Sequence, residues 1–259
     1  MRIVNLLADG PQDYMAIDRL QRYLHHEVSR HREPDTLIVW EADHVFTAGR
    51  RTADADIPHT DLPVIRMDRG GSVTYHGPGQ LVIYPIVSVQ PPADVVRFVR
   101  RTEEAIMAAL RLGYQLDTAQ VAGRSGVWIL QKQQQDAKIC AIGIKFADNT
   151  TMHGMALNVS TDLAHFQRII PCGLADAGVT SLVQLGISTS LTAAAEYLIP
   201  QLSQVYAPLQ QRTHEDLTIA SPQSISQLWA AAHRHPLNLP NATGTPWHPH
   251  TVSDYREEQ

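Results

Sequence analysis

Four glycines, Gly70, Gly71, Gly77 and Gly79, fall within ten residues of the segment RGGSVTYHGPGQLVIYP, Arg69 to Pro85. No rule for building an apolar core calls for such a run. Glycines let backbone approach a ligand closely and leave N–H groups free to donate. Arg69, Thr74, Tyr75 and His76 place polar side chains between the two turns. The same residues also fit a tight hairpin whose glycines serve geometry alone. Two nucleotide motifs are excluded. No Gly-Lys-Ser/Thr follows the segment, and Gly77-Pro78-Gly79 lacks the third glycine of a dinucleotide fingerprint.

The chain has 259 residues, enough for one large domain or a domain with an appendage. Its 44% hydrophobic and 18% charged content suits a globular enzyme. A net charge of −5 argues against a general nucleic-acid surface. No apolar run is long enough to span a bilayer, and MRIVNLLADG reads as a strand, not a signal peptide. Two cysteines, Cys140 and Cys172, make no disulfide framework. The expectation is a cytoplasmic protein with free thiols and neither nucleic acid nor membrane as partner.

Along the chain, residues 2–7 read as a strand and Pro11 to Arg30 as a helix capped by Asp9 or Gly10. Thr36–Glu41 is a strand, Asp43–Arg51 a loop, and Leu62–Met67 a strand that delivers the chain to Arg69. Leu81–Val89 continues as strand until Pro91-Pro92. Asp94–Leu112 reads as a helix with Val95, Val99, Ile106 and Leu110 inward, Gly113 as C-cap, and Arg97, Arg100, Arg101 and Arg111 on its exposed side. Strands follow at Val121–Leu130, Ala137–Phe146 and Met152–Val159, with a polar tip at Gln131–Asp136. A short helix begins at Thr161, Ile169–Gly173 turns, and Leu191–Tyr206 is a further helix. Strands outnumber helices, and many are joined by short turns. This predicts an α+β fold with a mixed, largely antiparallel sheet and flanking helices. Composition shifts after Pro208, so residues 1–207 form the expected main domain and 208–259 an appendage with a helix near Ser224–Ala232.

Cys172 sits between Pro171 and Gly173, on a sharp turn that can face a cleft, whereas Cys140 lies in an apolar strand as a small packed hydrophobe. A nucleophilic cysteine needs a cation to lower its pKa. Lys138, Lys145, His76, His153 and His165 are all available, and spacing does not choose among them. The pairs His233/His235 and His248/His250 offer imidazoles without an acidic or thiol partner at ligand spacing, so no metal is expected.

The Arg69–Pro85 segment closely resembles the signature of the lipoyl/octanoyl transferase family, the octanoyl-acyl-carrier-protein:protein octanoyltransferases. Further blocks resemble it in order: Gly123–Trp128, Lys138–Gly143, Thr151–Asn158, and Ile170–Gly173 with Val179–Leu182. The resemblance spans roughly residues 3–205 and leaves the appendage outside.

It implies a biotin/lipoate ligase-like, class II synthetase-like fold and a catalytic pair of Cys172 as acyl-thioester nucleophile and Lys138 as its cation. Substrate binding is implied at Arg69, Gly70, Gly71, Ser72, Val73, Thr74, Tyr75, His76, Ala141, Ile142, Gly143, Gly154, Met155 and Ala156. Gly77 would join them at the acyl pocket, and backbone N–H groups of Ala141–Gly143 or Gly154–Ala156 would form an oxyanion hole. The implied donor is octanoyl-acyl carrier protein. The implied acceptors are lipoyl domains of 2-oxoacid dehydrogenase E2 subunits and the glycine cleavage H protein. No cofactor is implied. The competing readings are an ATP-dependent lipoate or biotin ligase, a thioesterase, and a non-catalytic acyl-binding module.

Overall fold

Apolar stretches with a period of two pair into one large sheet. The computed structural model describes residues 1–131, 135–169, 177–211 and 216–236. Its strands are β1 (Arg2–Asn5), β2 (Thr36–Trp40), β3 (Val45–Ala48), β4 (Val64–Arg66), β5 (Val73–His76), β6 (Gln80–Ile86), β7 (Ala119–Val121), β8 (Arg124–Ile129), β9 (Ala137–Ala147), β10 (Thr150–Asn158), β11 (Gly178–Val179) and β12 (Thr218–Ile219). The α-helices are α1 (Tyr14–Ser29), α2 (Val95–Tyr114), α3 (Leu191–Tyr206) and α4 (Pro222–Arg234).

Among the described residues the main sheet runs β12-β1-β2-β6-β10-β9-β8-β7, with β11 beside β9. β1 is parallel to β2 and β12, and β11 to β9; the other neighbours are antiparallel. A second sheet, β4-β3-β5, stands against it. The chain is thus α+β, with helices on both faces of a mixed sheet.

Side-chain alternation explains the layers. On β6, Leu81 and Ile83 face the cluster under α2 and α3, while Val82, Tyr84 and Ile86 face the cluster under α1. β2 divides likewise, Leu37 and Val39 against Ile38 and Trp40. Burying such a Leu or Ile fully is worth about 2 kcal/mol each. On α1, Ile17, Leu20, Leu24 and Val28 form the buried stripe at helical spacing.

Several local expectations are corrected. The cap of α1 is Asp13, whose carboxylate accepts from the Ala16 N–H at 2.8 Å, because residues 7–9 already form a 3-10 turn. α2 ends at Gln115 in the left-handed conformation, and Gly113 stays inside the helix beneath the Tyr197 ring. Val95 is 43% exposed because the first turn of α2 overhangs the core. The segment expected as a loop at Asp43–Arg51 contains β3, buried between β4 and β5. Residues 216–236, within the compositionally distinct end of the chain, add a sheet edge and a helix. Thr218 N–H donates to Met1 O at 3.0 Å, and Leu228 and Ala232 of α4 pack into the α1 cluster.

Candidate active site

A cavity of about 170 Å³ opens between the Arg69–Ser72 loop, the start of β8, and the middle of β9 and β10. The loop is held from both ends. Arg69 is buried, and its guanidinium donates to the Thr47 carbonyl at 2.6 Å, to the Thr47 hydroxyl at 2.8 Å and to Gly70 O at 2.9 Å. The backbone beyond β3 clasps it as well: Arg50 N–H donates to Arg69 O and Arg51 N–H to Gly71 O, both at 3.1 Å. On the far side Gly70 packs on Gly143, where a Cβ would come within 3.1 Å of Gly70 O.

The residue before this loop, Asp68, is the hub of a polar network. It accepts from both terminal nitrogens of Arg22 at 3.0 and 2.9 Å, from Lys145 at 2.7 Å and from His153 Nε2 at 2.9 Å. Burial alone would raise its pKa, but the hydrogen bonds from His153 and Arg22 outweigh that and hold the carboxyl far below its usual range. His153 is fully buried, which lowers its pKa against the pull of Asp68, so it is the neutral donor of this pair. Gln21 completes the frame. Its carbonyl accepts the His153 backbone N–H at 2.8 Å, and its amide lies 3.2 Å from His153 Nδ1. That clamp accompanies an unusual backbone: His153 has φ +58° inside β10, a left-handed conformation rare for a non-glycine residue.

His76 belongs to a second chain of hydrogen bonds. Its Nδ1 lies 2.7 Å from Gln80 Oε1, the Gln80 amide donates to Asn158 Oδ1 at 3.0 Å, and the Asn158 amide donates to Thr180 O at 3.0 Å. Thr180 N–H in turn donates to Lys138 O at 3.0 Å. Satisfied donors and acceptors along this chain assign the proton of His76 to Nδ1. Burial, with the Arg69 charge adding, lowers its pKa to about 3, so the ring is neutral. Nε2 is then an acceptor on a residue that lines the cavity.

Lys138 lines the same cavity from β9. Its ammonium lies 4.6 Å from the centre of the Trp128 ring, and its stem passes Gly126. Cys172 lies outside the described residues, as do the Ile170-Pro171-Cys172-Gly173 turn and residues 132–134 of the Gln131–Asp136 tip. Cys140 is buried beside Ile139 in the apolar core, and that burial raises its thiol pKa far above the ordinary value.

Of the residues expected to bind substrate, Arg69, Gly70, Gly71, Ser72, Val73, Thr74, His76, Ala141, Ile142, Gly143, Gly154, Met155 and Ala156 border the cavity. Tyr75 does not. On β5 Thr74 and His76 turn toward the cavity and Tyr75 turns away. It packs with Phe46 and Phe166 and meets His44 Nδ1 through its hydroxyl at 2.6 Å. Gly77 also lies off the cavity, against the Tyr75 ring. The structure adds Arg51, Tyr84, Gly123, Arg124, Ser125 and His153 to the wall. Five of these fall in the blocks that carry the family resemblance: Gly123, Arg124 and Ser125 in Gly123–Trp128, His153 in Thr151–Asn158, and Tyr84 in Arg69–Pro85; Arg51 lies outside them.

β10 lies between β6 and β9, with Met155 and Ala156 in register with both, so their N–H groups are committed to the ladder. β9 is different on its far edge. The Ile142 carbonyl accepts from Ser125 Oγ and the Ile144 carbonyl from Gly70 N–H, both on the side away from β10. An antiparallel residue points its N–H the same way as its C=O, so the Ile142 N–H faces that side too.

The lipoyl protein ligase A/B catalytic domain family matches residues 13–203. The chain belongs to that family. Octanoyltransferases of Thermobifida fusca and Clavibacter sepedonicus are 45% and 49% identical to it over 202 and 185 residues. These alignments take in 74% and 70% of this chain and 85% and 78% of the relatives. The octanoyltransferase of Corynebacterium efficiens is 42% identical over 200 residues, 76% of this chain and 80% of the relative. Among solved structures, a putative lipoate protein ligase from Thermoplasma acidophilum with bound lipoic acid superposes with a TM-score of 0.61 at 15% identity, over 88% of this chain and 92% of that one. Lipoate-protein ligase A bound with ATP gives 0.61 at 15% identity, over 90% and 94%. These structures share the fold.

Proposed function

We propose that this member of the family transfers an octanoyl group from octanoyl-acyl carrier protein to a lysine of a lipoyl domain, through a thioester on Cys172. Octanoyl transfer in protein lipoylation rests on relatives that share its sequence at 42–49% identity. The observation that carries the mechanism is Lys138 on the wall of a cavity framed by Arg69–Ser72 and β9.

In this reading Lys138 and Cys172 form an ammonium–thiolate pair. The thiolate attacks the donor's carbonyl carbon. The bond to the carrier's sulfur breaks, and the departing thiolate takes a proton from Lys138. The acceptor amine then attacks the enzyme thioester. An amide C–N bond forms, the Cys172 sulfur leaves as thiolate, and the surplus amine proton goes to Lys138. Thioester exchange is nearly even in energy and amide formation is downhill, so the two steps need no nucleotide. The Ile142 N–H, directed off the ladder, suits the developing oxyanion. Burying about six CH₂ groups of the acyl chain would contribute on the order of 5 kcal/mol.

Arg50 and Arg51 suit an acidic carrier at the cavity mouth. They are exposed, and Arg51 borders the cavity. The α2 arginines fit that role less well, since Arg100, Arg101 and Arg111 pair with Glu103, Glu104 and Asp117. Lipoyl domains as acceptors are supported by a neighbour of this fold, a Thermoplasma acidophilum lipoate protein ligase described with its E2 lipoyl domain. Among the described residues no helix is long and apolar enough to cross a membrane.

Intact-mass spectrometry after mixing with octanoyl-acyl carrier protein tests the proposal. One octanoyl adduct, absent in Cys172→Ala, is expected. The shared fold with an ATP-bound lipoate ligase favours a second reading, ligation of free acid. Product formed from octanoate and ATP without carrier protein would establish that reading instead.

A further inference from the structure

Where α1 and α4 end, the fold brings together three side chains far apart in the sequence. His26 and Glu27 occupy the last turns of α1, and His235 is the residue that ends α4. One ligand atom from each lies within 4.8 Å of the other two. His26 Nε2 is 3.8 Å from Glu27 Oε1, and the two imidazole rings are 4.5 Å apart between centres. The Tyr23 ring packs 5.7 Å from His235. The His235 backbone is fixed by its N–H, which donates to Ala231 O at 3.0 Å. Yet its Nδ1 is buried with no hydrogen-bond partner among the described residues. Buried polar atoms ordinarily find partners, so an orphaned imidazole nitrogen beside a second imidazole and a carboxylate calls for one.

We propose that His26, Glu27 and His235 bind a divalent transition-metal cation, with Zn²⁺ the best match, and that the ion clamps α4 onto α1. Two imidazoles and a carboxylate, with a position left for water, are a common zinc donor set. Nitrogen donors favour zinc over magnesium or calcium. Metal–ligand bonds of about 2.0–2.2 Å ask these atoms to close by roughly an ångström, within the reach of side-chain rotation. Arg32 holds Glu27 by two hydrogen bonds, at 2.8 and 2.6 Å. A carboxylate retains further lone pairs beyond that fork, and metal-binding carboxylates are usually oriented by such a partner. The site is separate from the cavity, and its residues take no part in the transfer chemistry.

The test uses the full chain carrying Cys172→Ala, so that this thiol does not compete, freed of metal and titrated with ZnCl₂ against a chromophoric chelator. One Zn²⁺ per chain should bind and raise the melting temperature. His26→Ala and His235→Ala should each weaken binding at least tenfold and abolish the rise. Glu27→Gln, which preserves packing, should weaken binding by a similar factor. The double variant His248→Ala/His250→Ala should bind as tightly as the parent. Absence of binding, or binding that survives His26→Ala, His235→Ala and Glu27→Gln, would overturn the proposal.

Discussion

The Lys138 ammonium reaches its place 4.6 Å from the Trp128 ring centre because Gly126 has no side chain. A Cβ there would lie 2.6 Å from Cys140 O and 3.3 Å from both Cδ and Cε of Lys138. Gly126 also has φ +113°, a backbone region that side chains avoid. Gly126→Ala is therefore expected to cost about 1–3 kcal/mol of stability and to slow enzyme acylation by at least about tenfold as Lys138 shifts. Urea unfolding and single-turnover acylation measure the two effects separately. Normal acylation would show that the lysine's position does not matter.

Acid stability should follow the buried imidazoles. His76 has a pKa lowered to about 3 by burial and Arg69, against an ordinary 6.5. Between those values the unfolded chain holds a proton that the folded chain lacks. Stability contributed by the neutral ring is thus lost as pH falls from 6.5 toward 3, at about 1.4 kcal/mol per pH unit for one such group. His153, lowered in the same direction, adds to the slope. Asp68, held far below 3.8, contributes stability that is present above 3.8 and declines below it. Urea melts of His76→Gln across pH 4–6.5 should show a slope smaller by about one proton than the parent's. Identical slopes would contradict a neutral buried His76.

Tyr75→Phe separates the motif from the cavity. It removes the 2.6 Å bond to His44 and keeps the ring contacts with His165 and Phe166. A stability loss of about 1 kcal/mol is expected, with unchanged KM for the octanoyl donor. A raised KM would return Tyr75 to the substrate-contacting set.

Leu228→Ala probes the end of the chain. Leu228 is 6% exposed and packs into the cluster of α1 and β6. Its truncation should cost about 2–3 kcal/mol in one cooperative transition. A separate early transition would mean that residues 216–236 unfold on their own.

Elements with a strong pattern were legible in the sequence: the stripe Ile17, Leu20, Leu24, Val28 of α1, the apolar run of β6, and the bounds of α3. β3 was not, because four residues between polar neighbours give no pattern, and β4 and β5 supply its pairing. β12 has two exposed residues and exists only because β1 offers an edge. In the site, glycines and the polar residues among them marked the loop. The Asp68–His153–Gln21 frame stayed hidden because its members are joined by topology across 85 and 132 positions. Tyr75 was misplaced for the opposite reason. A motif read as a block ignores that neighbouring residues of a strand face opposite ways.

Gly70 lying against Gly143 makes one side of the cavity out of main chain on main chain. Such a slot has a fixed gauge, since any side chain added at that seam pushes the Arg69–Ser72 loop off β9 before it narrows the bore. In the proposed transfer, adaptation to longer or shorter acyl groups then falls to side chains of the wall such as Ile142 and Met155.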